Sequence, residues 1–463
     1  MSTAPSLDPA DQAVLSGWGR TMAGTQSVLE GSARDAAGLR EAMGTVTDRG
    51  AIARGLGRSY GDPAQNRGGA VVRLHDLVGD VVVDDVAATA TVPAGISIDD
   101  LLRVLVPRGF FVPVTPGTRF VTIGGAIASD IHGKNHHVDG SFGNHVRRLS
   151  LLGADGSVAE LSPQVRPDLF WATIGGMGLT GIVLDATIDV IPIETSRIAV
   201  DTHRTPDLDT LLSMMTEHDR DFRYAVAWID LMARGKHMGR GVLTFGDHAR
   251  RDELSATQSL EPLAYDPSQR VALPPLVPPQ GLITPLTTRA FNEVWYRKAP
   301  RRRIGQIVSI PGYFHPLDLV GSWNRIYGRP GFVQYQFVVP FGAEDTVRDV
   351  VTQLSGAGVP TFLAVLKRFG AANPAPLSFP APGWTLALDV PTATPDLAAL
   401  LHGFDELVLA AGGRHYLAKD GHTTPGAIRR GYPRLAEWQA VRDGVDPTGV
   451  WASDQSRRLH LTG

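Results

Sequence analysis

The sequence predicts a soluble α+β protein with two sheet-bearing domains, and three observations carry that expectation. Its 463 residues exceed what one hydrophobic core usually organises and leave ample length for a large interior. Its composition, 43% hydrophobic with 51 glycines and 33 prolines, is that of a loop-rich globular chain. Its texture changes near Ser196, from short strands and turns to longer strands and helices.

Each element has a local reason. Val71–Leu74 and Val81–Val83 are apolar runs of strand composition. Ser97 precedes an apolar-periodic helix through Ile98–Val106, with Asp99 and Asp100 in the first turn, where the helix dipole favours them. Leu149–Gly153 and Val158–Leu161 flank Asp155-Gly156 and read as a hairpin. Gly181–Ile191 reads as the strand closing the first region. Beyond Ser196, Arg223–Asp230 and Val333–Pro340 read as strands, Ala343–Ser355 and Pro395–Ala411 as helices. The natural packing is an antiparallel sheet with helices on one face. Residues 262–289 hold seven prolines and are expected to be irregular, followed by the basic run Arg297, Lys298 and Arg301–Arg303.

Charge and composition narrow the function. A net charge of −3 argues against a nucleic-acid partner. The absence of cysteine excludes disulfides, thiolate metal sites and a cysteine nucleophile. No apolar stretch is long enough for a transmembrane helix, and Asp8 and Asp11 interrupt the N-terminus, so no secretory signal is expected. Only five of the 44 basic residues are lysines, at 134, 236, 298, 367 and 419. An ammonium, unlike a guanidinium, can lose its proton when buried, so these few lysines draw attention.

Three segments could carry chemistry. Ala53-Arg54-Gly55-Leu56-Gly57-Arg58-Ser59-Tyr60-Gly61-Asp62 has glycines that let backbone N–H groups converge on a phosphate. The stretch from Pro116 to Asn135 is dominated by small residues over 122–129, which suits backbone packed against a flat ligand or a diphosphate. It ends in His132-Gly133-Lys134-Asn135-His136-His137. Gly133 stands where a metalloprotease helix needs Glu, so the histidines point away from a metal. In the second half, strand alternation puts Gln334 and Gln336 on one face, and Thr385, Ala387 and Asp389 on one face of a second strand. With Lys367 and Lys419, these suggest a polar substrate-binding wall backed by an apolar face.

Together these segments resemble the vanillyl-alcohol-oxidase type of FAD-linked oxidoreductases. The long block Gly124–His137, with Ala53–Asp62, Gly140–Arg147, Trp295–Lys298 and Lys419-Asp420, is most similar to members acting on a polyprenyl-phosphate sugar, over nearly the whole chain. The resemblance implies a PCMH-type FAD-binding domain over 1–195, a substrate domain over 196–412 and a return to the first domain over 413–463; the prolines and apolar residues of 262–289 predict a mobile lid over the substrate opening that contacts lipid or membrane surface, with the basic run near anionic phosphate. It implies oxidation of the 2′-hydroxyl of a polyprenylphosphoryl-β-D-ribose. A separate NADH-dependent short-chain reductase would then complete an epimerisation that supplies arabinose for the cell wall. It also implies peripheral membrane contact at the cell envelope, on a side of the membrane left open, and the Arg-for-Lys bias fits an actinobacterium.

Carried over by position, the resemblance assigns Ala53–Asp62, Gly117, Thr118, Thr122, Ile123, Gly124, Gly125, Ser129, His132, Asn135, Val183 and Tyr416 to FAD. Lys419, His132 and Tyr60 would line the reacting face, and Lys134, Gln334, Gln336, Lys367, Asp389 and Trp228 the substrate. Lys419 would act as base, or as a cation stabilising developing negative charge. Three departures stand out. Arg58 replaces the His that binds flavin covalently in some relatives, so FAD is expected to be non-covalent. Ser129 and Ala387 stand where many close relatives have Cys, and Thr385 where they often have Asn. Two other readings stay open: an FAD oxidase of a soluble polyol or sugar lactone, and a flavin-binding protein without turnover.

Overall fold

The computed structural model describes residues 12–29, 46, 48–75, 77, 79–268, 271–272 and 278–462. Two sheets build the first part. One has four strands in the order Gln12–Leu15, Gly24–Leu29, Ala70–Arg73, Ala51–Arg54, with the last two junctions parallel. The other is antiparallel, in the order Val82–Asp84, Thr89–Pro93, Ile182–Asp189, Val146–Leu152, Val158–Leu161. The strand expected to close this region therefore lies at the centre of its sheet. The hairpin at Asp155-Gly156 forms with Leu152 opposite Val158, and Gly156 takes the positive φ that the turn needs. Ser97 caps the helix Ile98–Leu105 by accepting from the Asp100 N–H, and Leu101, Leu102 and Leu105 bury its apolar stripe.

The second part is one eight-stranded antiparallel sheet, ordered Arg302–Ser309, Arg197–Thr205, Gly241–His248, Tyr224–Ile229, Ala364–Phe369, Gly383–Pro391, Phe332–Val339, Arg414–His415. The helices Leu208–Glu217, Glu344–Ala357 and Leu397–Ala410 cover one face, packing Leu211, Val350, Val351 and Phe404 on Tyr335, Phe337, Leu366, Leu386 and Leu388. Period-two alternation then forces Gln334, Gln336, Lys367, Thr385, Ala387 and Asp389 onto the opposite face, which looks at the first part. After Arg414–His415 the chain returns to the first part, where Trp451 bridges Ala51.

The expectation of irregular structure over 262–289 fails at its end. A 14-residue helix, Pro285–Lys298, begins inside it. Pro285 stands at the first helical position, where a missing N–H costs nothing, and Thr284 caps the Thr287 N–H. Val271–Ala272 also pairs in parallel with Val320–Gly321. Residues 269, 270 and 273–277 of the expected mobile segment lie outside the described residues.

Candidate active site

The site lies between the polar face of the large sheet and two glycine-containing segments of the first part. The loop after the strand Ala51–Arg54 turns through Gly57, whose φ is +64°. Among the described residues, no acceptor meets the backbone N–H groups of Gly55, Leu56, Gly57, Arg58 or Ser59. Such a run of free donors is an anion-binding nest. Gly55 is compulsory, because a Cβ there would collide with Thr122 Oγ1. Thr122 in turn caps the helix Ile123–Ala128 by accepting from the Gly125 N–H at 3.2 Å. Gly117 faces open space: among the described residues, no atom lies within 4 Å of an added Cβ. The buried Arg58 Nε has no hydrogen-bond partner among the described residues, while its guanidinium lies 3.9 Å over the Trp18 ring.

Other residues expected at the cofactor serve the protein's own contacts. Arg54 donates to the carbonyls of Ala64 and Ser16 at 2.9 and 2.8 Å. Thr118 Oγ1 donates to Asp318 at 2.8 Å, and Asn135 Nδ2 to the Pro113 carbonyl at 2.8 Å. Val183 is buried in the core of the five-stranded sheet. The Gly124 N–H is satisfied by the Ala94 carbonyl, and the glycine allows close packing against Ala94. Asp62 is held by Arg458, with oxygen–nitrogen distances of 2.6 and 3.0 Å. Arg458 also binds Asp420 at 2.7 Å. Its role was invisible in the sequence, which offers no local signal for it.

On the opposite wall, Gln334 donates to Asp389 Oδ1 at 2.6 Å, and Tyr327, missed by sequence reasoning, donates to Oδ2 at 3.1 Å. Burial pushes Asp389 up to about 7 against the pull of these bonds and of Lys419. Lys419 Nζ sits 4.0 Å above the Tyr60 ring, and burial lowers it to about 8, with Asp389 opposing. Burial and the Asp389 charge keep the Tyr60 phenol protonated. The Tyr60 N–H donates to the Ala418 carbonyl at 3.1 Å, and a Cβ on Gly61 would strike the Asp420 carbonyl, so the nest and the Lys419 turn are fixed to each other.

His132 joins the two walls. Its Nε2 is 2.9 Å from Gln336 Nε2 and its Nδ1 is 3.2 Å from Lys367 Nζ. Burial and the Lys367 charge hold the ring well below its ordinary pKa, so it is neutral and carries one proton. Thr385 spends its O–H on the Phe337 carbonyl at 2.8 Å, so its oxygen accepts from the Gln336 amide at 3.2 Å. That orients Gln336 with its NH2 toward His132 Nε2, leaving the imidazole proton on Nδ1, facing Lys367. Burial lowers Lys367 to about 7, next to Lys419, which makes a neutral amine available as the acceptor. Tyr416 stacks on Phe379 at 4.6 Å beside His132 and donates to the Ser129 carbonyl at 2.8 Å. Lys134, lowered to about 7 by burial and then by Lys367, donates to the Tyr313 carbonyl. Trp228 donates to the Phe362 carbonyl at 2.8 Å.

The chain is 44% identical over 456 residues to the decaprenylphosphoryl-β-D-ribose oxidase of Mycolicibacterium smegmatis, covering 96% of this chain and 97% of that one. This chain belongs to the same family, the vanillyl-alcohol-oxidase type of FAD-linked oxidoreductases. An FAD binding domain model matches residues 32–162, and a D-arabinono-1,4-lactone oxidase model matches 359–459. A Streptomyces alditol oxidase is 24% identical over 420 residues, 89% of this chain and 90% of its own. The fold matches a BBE-like 1 variant of Physcomitrella patens at a TM-score of 0.65 and 16% identity, covering 92% of this chain and 90% of that one. The two-domain flavoprotein fold and the FAD-dependent oxidoreductase class expected from the sequence are both borne out. The residues present fit FAD: the free N–H groups of 55–59, the unpartnered Arg58 Nε and the open side of Gly117 are donors and space that no atom of the described residues uses.

Proposed function

We propose that the protein oxidises the 2′-hydroxyl of a polyprenylphosphoryl-β-D-ribose to the 2′-keto sugar, the first half of an epimerisation toward the arabinose donor of cell-wall arabinan. A separate NADH-dependent short-chain reductase would reduce the ketone to the inverted alcohol, and peripheral membrane contact would accompany a lipid substrate. The observation that carries the reading is the wall of Gln334, Gln336, Lys367 and Asp389 opposite Lys419 and Tyr60, in a chain 44% identical to a decaprenylphosphoryl-β-D-ribose oxidase.

FAD would be held by the 55–59 nest, Arg58 and the backbone at Gly117, and when bound it supplies the hydride acceptor. The chain's own residues do the rest. Lys419, with an amine near neutrality, takes the hydroxyl proton. Asp389, fixed by Gln334 and Tyr327, keeps a carboxyl at the sugar-facing wall and balances the lysine charge. Gln336 and His132 form a fixed hydrogen-bond rail along the sugar-facing wall, and Lys367, as a neutral amine, accepts the hydrogen bond from His132 Nδ1–H. Phe369, Phe379 and Tyr416 pack around His132 and exclude water.

Anaerobic mixing with prenylphosphoryl ribose, free pentitols and sugar lactones tests the reading by bleaching of the flavin absorbance. The lipid-linked ribose should bleach it and the free sugars should not. Equal bleaching by pentitols would instead establish the polyol-oxidase reading favoured by the alditol oxidase match.

A further inference from the structure

The helix Pro285–Lys298 is amphipathic in the wrong sense for a soluble protein. Its inward face is polar: Thr288 and Asn292 are 1% and 0% exposed. Asn292 donates to Asp230 at 2.8 Å, Glu293 pairs with Arg240 at 2.5 Å, and Tyr296 donates to the Thr205 carbonyl at 3.1 Å. Its outward face is apolar. Leu286 is 77% exposed and Val294 66%, and beside them Phe291 and Trp295 stack in the open with centroids 6.0 Å apart. Ordinary surface helices point these residues inward, so a clustered reversal marks a contact surface.

The charge beside it is as one-sided. Residues 285–303 carry six basic side chains against one acidic, Glu293, in a chain whose net charge is −3. Arg297 and Lys298 end the helix, and Arg301, Arg302 and Arg303 follow it, all exposed, into the outermost strand of the large sheet. Phe291 also starts an aromatic series inward. It meets Phe362 edge-on at 5.7 Å, Phe362 lies 5.9 Å from Tyr327, and Tyr327 donates to Asp389 in the active site.

We propose that this face docks the enzyme on an anionic lipid bilayer, with Leu286, Phe291, Val294 and Trp295 entering the interface and the basic run meeting anionic headgroups. A bilayer offers an apolar layer and negative charge side by side, which matches both halves of the surface. A second copy docked through the same face would bring two basic runs together. The inference rests on the lipid-linked substrate proposed above, because an enzyme held on a bilayer meets a sugar that a prenyl chain anchors there.

Flotation of the FAD-loaded protein with vesicles of phosphatidylcholine, with and without phosphatidylglycerol, tests it. The protein should float with the phosphatidylglycerol vesicles, less so as salt rises, with a blue shift of tryptophan emission. The Phe291→Ser/Val294→Ser/Trp295→Ser variant and the Arg301→Glu/Arg302→Glu/Arg303→Glu variant should each partition at least ~tenfold less, with FAD content unchanged. Two variants that alter only exposed side chains guard against a loss caused by misfolding. Failure to float, variants that float as the parent does, or self-association through this face in place of flotation would each overturn docking. Flavin bleaching by detergent-dispersed prenylphosphoryl ribose without flotation would overturn docking alone. Flotation without bleaching would support docking and overturn the substrate assignment.

Discussion

Replacing Lys419 by Met removes the amine and keeps the aliphatic stem over the Tyr60 ring. The backbone bond from the Tyr60 N–H to the Ala418 carbonyl does not involve the side chain, so the nest and FAD content should survive. A positioned base typically contributes about 10²–10⁴ in rate, and that is the expected loss in flavin reduction. The parent's pH profile then decides between base and cation. With the amine lowered to about 8, roughly a tenth is neutral at pH 7 and roughly nine tenths at pH 9. A base therefore gives a reduction rate that rises about tenfold over that range, whereas a stabilising cation gives a fall of similar size. Lys367 and Asp389, both near 7, titrate about one unit lower, so Lys367→Met should keep the upper limb of the curve. Stopped-flow anaerobic bleaching measures all of this. A profile flat from pH 7 to 9, or one unchanged in Lys419→Met, would refute the argument.

Arg458→Gln should leave Asp62 and Asp420 buried without their shared partner, costing about 3–5 kcal/mol and lowering both Tm and FAD affinity in thermal scans and flavin titration. Gly117→Ala should leave the Tm of the FAD-free protein unchanged yet reduce FAD retention, because the added methyl meets no atom of the described residues and enters the open side of the site. Gly55→Ala should lower both, since its methyl strikes Thr122. Acid precipitation should release the flavin into the supernatant, because Arg58 offers no nucleophilic ring nitrogen; flavin kept in the pellet would locate an attachment elsewhere, with His132 the first candidate.

What could be read from the sequence was what local periodicity determines. Alternation over 333–338 and 384–390 placed Gln334, Gln336, Thr385 and Asp389 on polar faces before any pairing was known, and register then put Gln334 opposite Asp389. The Ser97 cap and the Asp155-Gly156 turn were legible for the same reason. The helix at Pro285 escapes a composition-based reading because proline counts there as a breaker, although after a capping Thr284 it starts a helix. Other facts depend on long-range contact and leave no local trace. Asn135, Thr118 and Arg54 sit in sequence-recognised segments yet spend their side chains on Pro113, Asp318, Ala64 and Ser16. Tyr327 reaches Asp389 across 62 residues.

The Arg458 clamp has a consequence for how the protein matures. Asp62 and Arg458 are 396 residues apart, while Asp420 is 38 from the same arginine. The long closure carries the larger loop entropy, and contacts of such separation slow folding. Until the helix Asp454–Arg458 docks, Asp62 and the turn that places Lys419 lack their common anchor, so a competent cofactor cradle and a placed base arise in one event. FAD that binds only this closed arrangement draws the population toward it by mass action. Flavin supply would then govern how much of the newly made chain reaches its active form as well as how fast that form turns over.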